Sequence, residues 1–228
     1  HIARFNGQIT VGAGGALSGS GAVADHNVRS DVLAKVGDNV KLTARNIDVN
    51  ANNRAVKDWL ANGADNIRGT TGGIAAAAGA SSHTELDFNT QVVIGDNTLL
   101  TVVGDVYNPG DLNLHTLNDY LVKDKVSMIT GGALAGAGAD VTIDTKEALS
   151  KVTVGAATLT TLGDVNISAR GTGEFNAKLN LETYGVGTVS VAKTDVDIDP
   201  DNQVEFKGAT RIVADGDLNI SAGTNTRF

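Results

Sequence analysis

The segment TDVDIDPDNQVE (194–205) carries the densest set of oxygen ligands in the chain. Asp195, Asp197 and Asp199 alternate, so on a strand they share one face, with Asp201, Asn202 and Glu205 just beyond the corner. Hard carboxylate oxygens at this density suit calcium. No glycine sits where an EF-hand loop needs its sharp turn, and the matching stretch DVTIDTKE (140–147) has fewer carboxylates. The competing reading is a solvated acidic corner, which would discourage strand-edge pairing.

Other chemistry is sparser. His1, His26, His83 and His115 show no HExxH spacing, and there is no GxSxG nucleophile motif and no cysteine. GAGG at 12–15 lacks the Gly-Lys-Ser/Thr end of a phosphate loop. Asp140 with Asp144, or Asp195 with Asp199, could supply paired carboxylates to a polysaccharide-degrading β-helix, with Lys178 as base, but no pattern singles them out. The reading is therefore not an enzyme. The NIS triplets at 166–168 and 219–221 fall in expected strands.

Trp59, Tyr120 and Phe175 are the candidate binding residues. They fall in the variable segments 52–69, 111–125 and 170–182, where insertions of a solenoid project to one side. There they form a ridge for lateral contacts or seal each insert against the body. Ala55, Val56, Trp59 and Leu60 stand at helical spacing, so the first two segments are expected to form short helices.

The frame that positions these residues is repetitive. GGALSGSGA (14–22), GGIAAAAGA (72–80) and GGALAGAGA (131–139) start 58 and 59 residues apart, and GVGTVSVA follows at 185–192. LAKVG (33–37), QVVIG (91–95), KVTVG (151–155) and VEFKG (204–208) form a second series. RNIDVNA (45–51), GDVYNPG (104–110), GDVNISA (163–169) and GDLNISA (216–222) form a third. Between markers, apolar and polar residues alternate, the signature of half-buried strand, and Gly-Asp pairs supply turns.

These features predict an all-β parallel β-helix, a β-solenoid of stacked coils. It would hold about four repeat units at 7–67, 68–125, 126–181 and 182–228, within one solenoid over 1–228 that is part of a longer chain. A β-helix coil takes roughly 20 residues, so each unit is expected to make about three coils and the whole a rod of roughly 50 Å. Glycine, 28 of 228 residues, and aromatics at 4% fit thin layers of small side chains.

The units resemble the passenger repeats of filamentous-haemagglutinin-like large exoproteins. That resemblance covers most of 7–228 and implies a right-handed parallel β-helix. It also implies secretion to the cell surface and a role in adhesion, biofilm or filament building. It brings no shared catalytic residues, and the chain departs from the family pattern in showing no N-terminal secretion-domain motif. Expected partners are the chain itself, end to end or laterally, and cell-surface or matrix ligands; no cofactor beyond calcium is expected. A net charge of −8 argues against nucleic acid. No run of 18 apolar residues predicts a membrane span. An outer-membrane β-barrel is the third reading, opposed by the absence of aromatic girdles.

Overall fold

The computed structural model describes every residue except Val106, and every side chain except those of Val106 and Asn62. Three sheets form from strands that return at a regular interval. Sheet B holds β3 (Leu17–Val36), β7 (Ala75–Ile94) and β10 (Leu134–Val154), the last paired to both β13 (Gly187–Asp197) and β14 (Asp201–Phe206). Sheet C holds the short strands β4 (Lys41–Ala44), β8 (Leu99–Val102), β11 (Thr158–Thr161) and β15 (Arg211–Ala214). Sheet A holds β1 (Ile2–Arg4), β2 (Ile9–Gly14), β5 (Ile47–Lys57), β6 (Ile67–Gly72), β9 (Leu112–Gly131), β12 (Val165–Tyr184) and β16 (Leu218–Arg227).

All ladders among the described strands are parallel. Leu17 pairs with Ala75, Ala75 with Leu134, and Leu134 with Gly187, so the chain comes back into register after 58, 59 and 53 residues. One unit therefore travels once around, through a long B strand, a short C strand and a long A strand. It does not make three coils. The sequence expectation used the short coil of a narrow β-helix; here 20-residue strands span roughly 66 Å each. The stack is correspondingly low, with four B layers at about 4.8 Å spacing, rather than a 50 Å rod.

Alternation places one face of each long strand inside. Leu86, Phe88, Val92 and Ile94 of β7 meet Leu112, Leu114, Tyr120, Val122 and Val126 of β9 in two adjoining cores. The expected helical excursions are absent. Residues 112–131 and 165–184 are continuous strand, and 47–57 is strand too; the one helical turn among the described residues is 3-10, Ala61–Gly63. The helical spacing around Ala55 was coincidental, since Ala55 and Lys57 both point inward at strand period.

Corners explain the markers. A Cβ on Gly73 would collide with the Gly15 carbonyl oxygen, one on Gly132 with that of Gly73, and one on Gly185 with that of Gly132. The Gly-Gly series is thus a column where coils approach too closely for a side chain. The third series shows a different column. Asp111 Oδ1 accepts from the Asp164 backbone N–H at 3.0 Å, and Asp164 Oδ1 accepts from that of Asp217 at 2.8 Å. The structural counterpart of GDVNISA is therefore Gly110–Asp111 onward, because Leu112 pairs with Val165. The described residues of GDVYNPG (104–110), which exclude Val106, lie in an extra loop before it.

Candidate functional site

The outward face of sheet B gathers ionisable groups near the middle of its strands. Asn27 of β3, Glu85 of β7, Asp144 of β10 and Asp197 of β13 stand in one cross-strand row, because each is the register partner of the next. Asp25, His83, Thr142 and Asp195 form the neighbouring row. Successive outward residues on one strand are two apart, so His83 and Glu85 flank the same spot.

Ligand atoms of His83, Glu85 and Asp144 all lie within 4.8 Å of one another, the one three-residue group of its kind among the described residues. Asn27 Nδ2 donates to Glu85 Oε1 at 3.1 Å, and Lys146 Nζ lies 4.0 Å from the same oxygen. His83 Nε2 is 4.0 Å from Asp144 Oδ2, whereas Asp144 Oδ1 is buried with no partner. Burial pushes the Asp144 carboxyl above its usual range; His83 opposes this, and Glu85 and Asp197 add to it. Two carboxylates and an imidazole at this separation could share a divalent cation or a proton.

The residues read from the sequence are placed differently. Asp195 and Asp197 are exposed on β13, with Lys193 Nζ 3.4 Å from Asp195. Asp199 lies between strands and donates its backbone N–H to Thr145 Oγ1 at 2.9 Å; the Asp201 carboxylate accepts from Gln203 Nε2 at 2.7 Å. The four carboxylates are thus spread over two strands and a corner, and no three of them converge. His83 and Glu85 were missed because Asp144 lies 61 and 59 residues on. The repeat spacing, which superposes Glu85 on Asp144, was the signal that could have found them.

Tyr120 and Phe175 do not form a lateral ridge. They are 4% and 2% exposed, and with Phe88 and Phe228 they make a ring column whose centroids step by 5.2, 6.0 and 6.2 Å. Their segments are strands, and at both positions alternation points the side chain inward. Trp59 remains in the loop after β5, half-buried under Lys178, whose Nζ stands 4.9 Å from the ring centroid. That contact occupies the lysine considered as a base.

Polar groups also enter the interior. Thr90 Oγ1 donates to Asn118 Oδ1 at 2.5 Å, Asn118 Nδ2 donates to the Leu149 carbonyl at 2.9 Å, and Ser150 Oγ donates to Thr116 Oγ1 at 2.9 Å. Lys57 Nζ donates to Asp124 Oδ2 at 2.6 Å, with both side chains fully enclosed. On the outer face of sheet A, Asn113 donates to Asp48, Asn166 to Asn113 and Asn219 to Asn166, an amide ladder running across the coils.

No helix among the described residues is long and apolar enough to cross a membrane. No family model, curated protein or solved structure matches the chain.

Proposed function

We propose that this chain is a structural or adhesive β-solenoid of the cell exterior, built from about four units of 53–60 residues and acting as a scaffold rather than an enzyme. The observation that carries this reading is the unbroken parallel stacking at near-constant register. Such a stack has an unpaired edge at each extreme, and parallel coils grow by adding another strand to that edge. At one extreme Leu218 and Ile220 of β16 are 49% and 47% exposed, apolar surface that another coil would cover. The partner is thus a second copy of the chain, or a further coil, together with surface or matrix ligands along the outward faces. Of Trp59, Tyr120 and Phe175, Trp59 is the one left outside the core and open to lateral contact. Calcium enters this reading as a ligand of the acidic outer row.

Parallel pairing supports this over the outer-membrane barrel, whose strands are antiparallel. The test is negative-stain electron microscopy with sedimentation velocity in detergent-free buffer. End-joined particles lengthening with concentration are expected. Particles that stay single at all concentrations would overturn self-association, and depolymerisation of a polysaccharide substrate would overturn the scaffold reading.

A further inference from the structure

Lys57 ends β5 and Asp124 lies on β9, its neighbour in sheet A, where Lys57 pairs in register with Val122. Their side chains turn inward and both are 0% exposed. Besides Asp124, Lys57 Nζ donates to Thr84 Oγ1 at 2.9 Å and lies 3.4 Å from His26 Nδ1. Ser82 Oγ donates to the same Asp124 oxygen that Lys57 contacts, and Asp124 Oδ1 has no partner. Val122, Val126, Leu86 and Tyr120 belong to the buried core that encloses this part of the molecule.

An ion pair so enclosed is electrostatically expensive. Moving one proton from the ammonium to the carboxylate gives a neutral amine beside a carboxylic acid, the form a low-dielectric interior favours. Burial accordingly pushes the Lys57 ammonium below its usual range. The amine and the carboxyl are then held in contact by two neighbouring strands, Nζ 2.6 Å from Oδ2, at high effective concentration.

We propose that Lys57 and Asp124 are joined by an intramolecular isopeptide bond. The Lys57 nitrogen lone pair attacks the Asp124 carboxyl carbon, forming the N–C bond. His26 Nδ1 accepts the proton released from the nitrogen and returns it to the departing hydroxyl. The C–O bond breaks and one water leaves, so amine plus acid becomes amide plus water with no oxidant or cofactor. Ser82 steadies the carboxyl oxygen during the attack. The bond would staple one coil to the next, independently of whether the scaffold binds a cell surface.

The test is the intact mass of the full chain in denaturant, followed by proteolysis. The expected mass is one water below that of the sequence, with the Lys57 and Asp124 peptides recovered as one branched species. Lys57→Arg and Asp124→Ala should each restore the full mass, and His26→Phe should leave a mixture of bonded and unbonded chains. A wild-type chain at full mass overturns the bond. So does a water deficit that survives in Lys57→Arg, because the loss would then lie elsewhere. Complete bonding in His26→Phe overturns the role given to His26.

Discussion

Phe88 of β7 and Tyr120 of β9 face each other across the interior with ring centroids 5.2 Å apart, so one aromatic pair ties sheet B to sheet A. Phe175 extends the contact to the next coil at 6.0 Å from Tyr120. Truncating a buried aromatic removes its transfer energy and leaves a cavity. Phe175→Ala is expected to destabilise the fold by about 3–5 kcal/mol. Trp59→Ala, at the half-buried loop position, should cost much less. Denaturant midpoints of the two variants check this; equal losses would return Phe175 to the surface.

The aspartate column makes a second prediction. Asp164 accepts from Asp217 N–H while its own N–H is held by Asp111. Asp164→Ala leaves the Asp217 N–H without that acceptor, at an expected cost of about 1–2 kcal/mol. Asp215→Ala, beside the column, serves as control. Urea unfolding measures both, and indistinguishable midpoints would remove the column from the account.

Acid should weaken the fold through two histidines. Burial lowers the pKa of His26; burial and then Arg170 lower that of His115. In each case the unfolded chain binds the proton more readily than the folded one, so stability rises with pH through the titration. The contribution is full above the unfolded value of 6.5 and is lost as pH falls below it. His115→Gln should flatten part of this slope, read from thermal midpoints between neutral and mildly acidic buffer. An unchanged slope would contradict the assignment to His115.

Much of the fold was legible because its markers do mechanical work. The Gly-Gly column at Gly73, Gly132 and Gly185 marks places where only hydrogen fits, and the Gly-Asp pairs at 163–164 and 216–217 sit at stacked corners. Strand alternation in 151–169 was clear because its inward residues are Val, Leu and Ile. It was hidden in 112–126, where the inward positions include Thr116, Asn118 and Asp124, polar groups whose partners come from other strands. The same concealment made Tyr120 look like part of an insert. Coil size was misjudged because repeat length alone does not say how often the chain turns within a repeat. The His83, Glu85 and Asp144 cluster was illegible by local spacing, since it forms only once β7 and β10 are set side by side.

The register itself is the central claim, and engineered disulfides test it most directly. The chain has no cysteine of its own, so any bond reports the introduced pair. Asn113 and Asn166 are partners on the outer face of sheet A, 53 residues apart, with side chains 2.9 Å from each other. Parallel neighbours stand about 4.8 Å apart, within the range a disulfide spans. The double variant Asn113→Cys with Asn166→Cys should oxidise readily to one intramolecular bond. Asn113→Cys with Asn176→Cys, ten positions along the same strand, should stay reduced. Equal oxidation of the two pairs, or bonding of the shifted pair alone, would contradict a solenoid that closes one coil per repeat.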